Sequence, residues 1–529
     1  NCVYFTDGGK NGHYTEARAY DTQTYADVML NINKTFGDDW SLTANVGASL
    51  NNIKTDELSY RGPIQENGLP NIFNVFDLDD TKKRAEKVGW HDQTQSVFAS
   101  VEVGWKQMLY LTATGRNDWA SQIAGSPSKS FFYPSVGLSW VPSSTWDLGN
   151  AFSYLKLRGS IASVGLPFPR FLTTPTYEYD ATGKIWKDKT HYPIGDLKPE
   201  RTITYEVGID ARLWKNISLS ASWYSADTKN QTFDPALPPS SSYTTIYLQT
   251  GHVRNTGVEL SLGYSNQWRD FGWSSNFTFS WNKNEIVDLA SGALNPVTGQ
   301  PLNLSELDIK GLGKAKYILK QGGTLGDLYT TSDLKFNDNG YVEVDKAGNL
   351  LLTDEGEQIY LGSVFPSENL AWRNDFRYKG INLGLLFTGR IGGICYSATQ
   401  ANMDLYGVSE VSAAARDAGG VLINGREMVD AQKWYQAIGS QSGLPQYYTY
   451  SATNFRLQEL SLGYTLPRKW FRNKMVLTVS FVGRNLWMIY CKAPFDPEAV
   501  ASTGLSYQGI DYFMMPSLRS LGFNVKFEF

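Results

Sequence analysis

The sequence contains no long apolar run. Its longest apolar stretches, residues 383–387 (LGLLF) and 475–482 (MVLTVSFV), are far shorter than the ~18–20 residues that a membrane-spanning helix needs. Charged residues make up only 19% of the 529 residues, below the roughly 25% of ordinary globular chains, and the mean hydropathy is −0.33. A bundle of spanning helices is therefore excluded. Low charge with modest hydropathy favours a β protein with one apolar and one polar face.

Residues that bind metals or carry out catalysis are also scarce. The three cysteines, Cys2, Cys395 and Cys491, form no CxxC pair, and the four histidines are isolated, so neither a disulfide scaffold nor a zinc module is expected. HExxH and GxSxG are absent. Glu206 and Asp210 share a strand face but would lie about 13 Å apart, whereas glycosidase carboxylates lie about 5–9.5 Å apart. We therefore expect no enzyme activity, no metal and no cofactor.

A basic surface for nucleic acid is missing as well. The formal net charge is −4 and the pI is about 5.8, which is the opposite of the basic footprint that nucleic-acid-binding domains carry. No nucleic-acid partner is expected.

Aromatic residues, in contrast, are abundant, and they lie among segments of alternating polarity. They make up 14% of the chain. Residues 203–213 and 521–529 each place an apolar side chain at every second position. A soluble sandwich also alternates, with its apolar face turned to the core. Here the polar positions are mostly Ser, Thr, Gly and Asn, and tryptophans lie near strand ends, which favours a membrane barrel.

The alternating segments predict fifteen antiparallel strands whose connections alternate in length. The strands are predicted at 24–34, 40–51, 91–104, 107–117, 130–141, 153–163, 199–213, 215–228, 253–264, 269–283, 367–378, 380–390, 454–465, 475–486 and 516–529. Long connections are predicted at 52–90, 118–129, 164–198, 229–252, 284–366, 391–453 and 487–515. Short turns on one side and long loops on the other are typical of bacterial outer-membrane barrels. A sandwich has no reason to sort its loops in this way.

The odd strand number predicts a partial barrel. Bacterial single-chain barrels have an even number of strands, with both termini in the periplasm. If the last strand ends there, residues 1–23 would be extracellular. We therefore expect residues 1–529 to be the C-terminal part of a larger barrel.

Several strings in the sequence carry a family resemblance. They include LTATGRNDW at 111–119, FFYPSVGLSWV at 131–141, LKLRGSIASVG at 155–165, LKPERTITYEVGIDARLWKN at 197–216, NTGVELSLGY at 255–264, FTFSWNKNEIVDL at 277–289, NFRLQELSLGYTLP at 454–467, VGRNL at 482–486, FDPEA at 495–499 and the terminal LGFNVKFEF. On these strings the sequence resembles the SusC/RagA class of TonB-dependent outer-membrane transporters of Bacteroidetes-type bacteria. The resemblance implies a 22-stranded barrel whose last fifteen strands lie in this chain. The N-terminal plug and the first strands would lie outside it.

The resemblance also implies a function. It implies TonB-dependent active import of a large nutrient, with an oligosaccharide as the preferred candidate. The implied partners are a SusD-like lipoprotein lid, the TonB complex and outer-membrane lipid. The same class also carries oligopeptides, and the sequence does not choose between the two ligands. A passive porin or adhesin barrel without plug or lid is the alternative from another class. A surface glycan hydrolase would need a carboxylate pair that the sequence does not show.

Charges on the strands are candidates for the barrel interior, because a charge facing lipid is costly. Lumenal charges are expected at Arg116, Glu206, Asp210, Arg212, Glu259, Lys526 and Glu528. They would pair with one another or with a plug. By resemblance, Phe523, Val525, Phe527 and Phe529 on the last strand form the signal for the outer-membrane insertion machinery.

Aromatic residues in the long loops are the candidate substrate-binding residues, because sugar rings stack on aromatic faces. The candidates are Trp186, Tyr192, Tyr243, Tyr247, Trp434, Tyr435, Tyr447, Tyr448 and Tyr507, with Tyr450 and Tyr512 beside them. Each could instead belong to a small loop core or contact the lid. Segment 427–438 predicts a short helix from its apolar spacing. The sequence does not decide whether Cys395 and Cys491 form a disulfide.

Overall fold

A single antiparallel sheet dominates the structure. The computed structural model describes residues 11–67, 72–173, 177–180, 185–188, 191–192, 197–233, 245–289, 300, 304–354, 356–502, 504 and 507–529. The sheet contains 15 strands, and each pairs with its neighbours in chain order. We call this sheet the wall.

The wall strands are numbered here in chain order. They are β1 (His13–Phe36), β2 (Trp40–Pro63), β3 (Arg84–Trp105), β4 (Leu109–Ala120), β5 (Phe131–Trp140), β6 (Phe152–Leu166), β7 (Glu200–Leu213), β8 (Ile217–Phe233), β9 (Leu248–Trp268), β10 (Phe271–Asp288), β11 (Glu368–Tyr378), β12 (Ile381–Ile391), β13 (Asn454–Thr465), β14 (Val476–Cys491) and β15 (Ser520–Glu528). Each of the fifteen strands predicted from sequence overlaps one of them. The all-β, antiparallel fold class is thereby confirmed.

The first three strands are longer than the alternation predicts. β1 and β2 have 24 residues each and β3 has 22, so the loop predicted at 52–90 is confined to 64–83. The added segments are charged and form cross-strand ion pairs, as between Arg61 and Glu86 at 3.6 Å. A backbone ladder does not require an apolar face where both faces meet water. The alternation therefore stops before the strand does.

Tight turns join the wall strands on the short-loop side. Between β3 and β4, Lys106 and Gln107 both have positive φ, at 52° and 53°. Two consecutive residues with positive φ form the type I′ turn, whose twist matches that of the flanking strands.

The wall exposes its apolar side chains instead of burying them. Leu111, Val207 and Leu462 are 49%, 55% and 51% exposed. The residues on either side of each position are polar or have no side chain: Tyr110 and Thr112, Glu206 and Gly208, and Ser461 and Gly463. We call the two sides the apolar face and the polar face. An exposed apolar face opposite a polar one suits a sheet that contacts lipid on one side.

The long connections after β10, β12 and β14 fold together into one unit, which we call the loop cap. It contains an antiparallel sheet of four strands, Glu306–Leu312, Ala315–Lys320, Asp327–Thr330 and Ile359–Ser363, and a second sheet of three strands, Thr449–Ser451, Ile394–Ser397 and Ile510–Asp511. It also contains the hairpin Val421–Ile423 with Glu427–Val429 and the helices α1 (Ala398–Leu405), α2 (Glu410–Asp417) and α3 (Ala431–Ile438). Outside it lie the short pairs Tyr177–Asp180 with Ile185–Asp188, and His191–Tyr192 with Thr245–Ile246.

One hydrophobic core holds the loop cap together. Tyr317 and Leu328 come from the first connection, Tyr396 and Leu444 from the second, and Ile510 from the third, and all five are fully buried. A shared core makes the three connections one packing unit. In the part of the chain that the structure describes, no helix is long and apolar enough to cross a membrane.

The helix predicted at 427–438 is shorter than its pattern. Residues 427–429 form a strand, and α3 begins at Ala431, where the Asp430 side chain accepts a hydrogen bond from the Lys433 amide at 3.1 Å. This N-cap satisfies a free helical amide and sets the start of the helix.

Candidate functional site

Arg158 on β6 joins two carboxylates of β7 on the polar face. Its guanidinium donates a hydrogen bond to Glu206, and its Nε lies 3.6 Å from the Asp210 carboxylate. Gly208 lies between the two carboxylates, and a Cβ at that position would approach Arg158 Nε to 2.8 Å. The missing side chain therefore lets the guanidinium lie across the strand. Sequence reasoning found both carboxylates and missed the arginine, although Arg158 lies in a predicted strand.

A second group of paired charges lies on β3, β4 and β5. The Arg116 guanidinium donates hydrogen bonds to Asp118 at 2.8 Å and to Ser96 at 2.7 Å, and it lies over the Phe98 ring. Tyr133 donates its hydroxyl to the other Asp118 oxygen. Arg116, predicted to face the lumen, is thus neutralised within the wall itself.

A third group spans β11, β13 and β14, and sequence reasoning missed it. Arg373 donates to Asp375 at 2.9 Å and lies 3.6 Å from Glu459. Arg484 donates to the same Glu459 at 3.2 Å. Each residue lies in a predicted strand, but only the pairing of the strands shows that the four charges meet.

Between the first and third groups, β8, β9 and β10 present hydroxyls. We call this surface the hydroxyl stripe, defined as Ser220, Ser222, Ser261, Thr278 and Ser280. Ser220, Ser261 and Thr278 are directly opposite one another across the three strands, and the next row is Ser222, Glu259 and Ser280. A groove of about 360 Å³ lies on the stripe, with Arg158 and Asn369 at its two sides.

The remaining predicted charges are placed as follows. Glu259 lies at the centre of the stripe, and among the described residues its carboxylate has neither a hydrogen bond nor an ion pair. Arg212 likewise forms no ion pair in the part of the chain that is described. Lys526 and Glu528 pair with each other on β15.

A buried arginine connects the wall to the loop cap. Arg456 on β13 is 3% exposed and lies 3.1 Å from Asp496 and 3.2 Å from Glu498. Ser517 donates a further hydrogen bond to Asp496 at 2.5 Å. Burial alone would raise the pKa of Asp496, but the hydrogen bonds from Ser517 and Arg456 outweigh it and hold that pKa below its ordinary value. We call Arg456, Asp496 and Glu498 the wall–cap junction.

Two of the predicted substrate-binding aromatics belong to the core of the loop cap. Tyr435 and Tyr448 are only 7% and 2% exposed. The expectation that they contact substrate is wrong, because their rings pack inside the cap. The helical pattern predicted α3 without telling which of its sides faces the core.

Other predicted aromatics remain at the surface. Tyr447 and Tyr507 are 37% and 42% exposed, and Trp186 is 69% exposed. Trp434 packs edge-to-face against Tyr447 at 6.1 Å between ring centres. Burial and the nearby Asp333 raise the pKa of Tyr447 to about 12, so its hydroxyl is neutral at physiological pH.

The last aromatic candidates fall elsewhere. Tyr247 packs on a small core formed by Ala120, Ile123, Phe168, Leu172 and Leu197. Tyr450 donates to Gln400 at 2.7 Å, and Tyr512 accepts from Gln441 at 3.0 Å. Tyr243 and the side chain of Tyr192 lie outside the described residues.

The two described cysteines are not bonded to each other. Cys395 lies in the central strand of the three-stranded cap sheet and is fully buried, and the thiols of Cys395 and Cys491 are both free. Burial raises the pKa of the Cys395 thiol to about 12. The disulfide that the sequence left open is therefore absent, and Cys2 lies outside the described residues.

The predicted assembly signal lies on an exposed strand. β15 pairs with β14, and Phe523, Val525, Phe527 and Phe529 are 80%, 51%, 54% and 94% exposed. Their role in insertion stays a prediction.

Comparison with known proteins places these features in context. A family model described as TonB dependent receptor-like, beta-barrel matches residues 3–367. The chain is 24% identical to TonB-dependent receptor P3 of Formosa agariphila over 565 residues, which cover 98% of this chain and 54% of that protein. It is 20% identical to TonB-dependent receptor SusC of Bacteroides thetaiotaomicron, over 63% of this chain and 32% of that protein.

Solved structures show the same fold. The chain matches the structure of the RagAB peptide importer in its closed-closed state with a TM-score of 0.73 at 20% identity, over 97% of this chain and 56% of that chain. The chain thus spans about half the length of receptor P3 and of this solved chain.

Proposed function

The chain belongs to the family of TonB-dependent receptor-like β-barrels of the outer membrane, and from this premise we propose that it forms part of the wall and the loop cap of an active importer of oligosaccharides. The apolar face of the wall contacts lipid, and the polar face lines the lumen. The loop cap lies outside the cell, above that lumen. A plug and the first strands, contributed by the rest of the receptor, close the lumen until the TonB complex acts on them.

The observation that supports a neutral ligand is the state of the lumenal charges. Arg158, Arg116 and Arg373 are each paired with carboxylates of the wall itself. Desolvating a charged ligand would require free counter-charges. Of the lumenal charges predicted from sequence, only Arg212 and Glu259 form no ion pair within the described residues.

The groove on β8 to β10 presents hydroxyls beside apolar side chains. Ser220 and Ser261 already donate to Asp210 at 2.7 Å and to Asn276 at 3.3 Å, so towards a sugar they act as acceptors. The hydroxyls of Ser222, Thr278 and Ser280 can donate to a sugar as well as accept from it.

Exposed aromatics in the loops support capture of the same ligand. Trp186, Tyr447 and Tyr507 are exposed at the surface, and an exposed aromatic ring can bury the C–H face of a sugar. A SusD-like surface lipoprotein is the proposed partner that closes over the bound ligand. A peptide ligand is the second candidate, because the chain shares its fold with the RagAB peptide importer.

The test uses the whole receptor in its own bacterium. A receptor deletion strain and its complemented parent are grown with either neutral oligosaccharides or oligopeptides as the sole carbon source, with and without active TonB. We expect receptor- and TonB-dependent growth on an oligosaccharide, and co-purification of the receptor with a surface lipoprotein. Growth that depends on the receptor only with peptides would support the second candidate. Uptake that persists without TonB would overturn both and leave a passive pore.

A further inference from the structure

We propose that the hydroxyl stripe, with Glu259 at its centre, is a lumenal guide surface along which a polyhydroxylated ligand slides during import. This inference rests on the proposed function and adds a binding surface inside the barrel to it. Capture on the loops and passage through the lumen are separate steps. The stripe would act only in the second.

The register of three strands builds the stripe. Ser220, Ser261 and Thr278 form one row across the polar face, and Ser222, Glu259 and Ser280 form the next. Directly opposite residues on antiparallel strands have Cβ atoms about 4.5–5.5 Å apart, a spacing that the hydroxyls of a single sugar unit can bridge. The groove of about 360 Å³ on these rows lies at the lower end of the range for small-molecule sites.

The chemistry of the stripe suits transient binding. A conducting surface must bind its ligand well enough to admit it and weakly enough, at several equivalent sites, to release it. Neutral hydrogen bonds provide such contacts, because each contributes little net free energy against water. Ser220 and Ser261 already donate their hydroxyls to Asp210 and Asn276, so they would accept from the ligand. The two neighbouring ion clusters are already paired internally, at Arg158 with Glu206 and at Arg373 with Asp375. They lie on either side of the stripe, and because their charges are already paired they do not hold the ligand tightly.

Glu259 provides a stronger contact on this surface. Its side chain is exposed, and among the described residues it has no hydrogen bond and no ion pair. A carboxylate with two free oxygens can accept a hydrogen bond from each hydroxyl of a vicinal diol, and charged acceptors make stronger bonds than neutral ones. A diol of the ligand is therefore the occupant that fits Glu259 between Ser222 and Ser280.

The same rows could instead hold a segment of the plug in the resting receptor. A plug contact predicts a different defect, because losing it would loosen the closed state. It would raise entry of large solutes that do not depend on TonB. A guide surface predicts slower TonB-driven import with an unchanged closed state.

The test compares stripe variants with matched variants elsewhere on the polar face. The stripe variants are the triple replacement Ser222→Ala, Ser261→Ala and Ser280→Ala, and the single replacement Glu259→Gln. The controls are Ser100→Ala and Glu102→Gln on β3, where Thr112 already donates to Glu102 at 3.1 Å. A triple Ser→Thr variant at the stripe positions keeps the hydroxyls and suits a strand.

Uptake is measured with a radiolabelled panel of neutral hexasaccharides: maltohexaose, cellohexaose, laminarihexaose and xylohexaose. The member that the wild type imports is then used for all variants, at equal receptor levels in the outer membrane. We expect the triple Ala variant and Glu259→Gln to lower the import rate about two- to tenfold, the range for one to a few ordinary hydrogen bonds. Surface binding of the sugar in cells lacking TonB should stay unchanged, and the Thr variant should keep the wild-type rate.

Each other outcome overturns a defined statement. Import rates of the stripe variants equal to those of the controls would overturn the guide surface while leaving the proposed function intact. Normal import with increased sensitivity to vancomycin would assign the stripe to the plug and also overturn it. A wild type that imports none of the hexasaccharides but does import peptides would overturn oligosaccharide import, and the guide surface with it.

Discussion

The wall and the loop cap use the same apolar residue types in opposite ways. In the wall, Val207 and Leu262 are 55% and 43% exposed, whereas Leu328 and Leu444 in the cap are fully buried. Wall strands pair along a backbone ladder of 15 strands. The cap instead packs short strands and helices around one core. The difference shows that two solvents act on one chain: lipid on the apolar face of the wall, and water around the cap.

The wall–cap junction is where the two regions meet. Disrupting it should have the largest effect on the stability of the cap. Arg456→Ala leaves Asp496 and Glu498 next to the wall without their buried counter-charge. Removing one partner of a buried ion pair costs about 3–5 kcal/mol. We expect the cap to open, while the wall strands stay paired.

The fully buried Cys395 thiol reports that opening. Alkylation of Cys395 at pH 8, followed by peptide mass spectrometry of the whole receptor, should become about a hundredfold faster or more in Arg456→Ala. Arg390→Ala is the matched control, because Arg390 lies 3.9 Å from Glu498 and is 41% exposed, where an ion pair contributes little. Equal labelling rates in both variants would mean that the junction does not hold the cap.

The next largest effect is expected when the same leucine-to-alanine truncation is made in the cap and in the wall. Leu328→Ala removes a fully buried side chain from the cap core and should lower the free energy of cap unfolding by about 2–5 kcal/mol. Leu262→Ala on the apolar face should change it little, because that side chain is 43% exposed in the structure and faces lipid. Cys395 alkylation measures the first change, and the temperature at which the receptor loses its folded band on a gel measures stability of the wall. A large loss of wall stability in Leu262→Ala would mean that this face is covered by protein.

Replacing an exposed apolar residue with a charged one should distinguish positions that face lipid from positions that face water. Val207 lies near the middle of β7, and an arginine there should destabilise the wall by about 2–4 kcal/mol if the residue faces the middle of the bilayer. Leu422 in the cap hairpin is 59% exposed, and Leu422→Arg should have almost no effect because it meets water. The heat-dependent gel shift of the purified receptor in detergent and in lipid measures the difference. Equal tolerance at both positions would place β7 outside the hydrocarbon layer.

The sequence predicted the wall well and the cap poorly, for a physical reason. The apolar face of each wall strand must meet lipid, so its alternation is visible within one segment, as in residues 203–213. Where β1 to β3 extend into water, that constraint ends and the strand ends were missed. The cap core joins Tyr317, Tyr396 and Ile510, which are far apart in sequence. No local pattern encodes such contacts.

The candidate site follows the same rule. Glu206 and Asp210 were identified as lumenal because they alternate with apolar residues. Their partner Arg158 lies 48 residues away from Glu206, and the contact depends on strand register and on the bare backbone of Gly208. Tyr435 and Tyr448 were misassigned because composition shows that a loop is aromatic and does not show which rings are inside.

The smallest expected effect is the pH dependence of cap opening. It distinguishes titration of a group in the junction from titration of a group elsewhere in the cap. Asp496 has a pKa held below its ordinary value, which is about 3.9 for an unperturbed Asp. A group whose folded-state pKa is lowered stabilises the fold above its unfolded pKa, and that contribution is lost as the pH falls through the folded pKa. Cap opening should therefore increase only below about pH 4, where Asp496 takes up a proton and weakens its contact with Arg456. Hydrogen exchange of strand Ile394–Ser397, corrected for the intrinsic pH dependence, should show protection falling by about two- to tenfold between pH 5 and pH 2.5. In Asp496→Asn the protection should be lower at pH 5 and nearly independent of pH over that range. A pH dependence that persists in Asp496→Asn would move the titrating group away from the junction and into the cap.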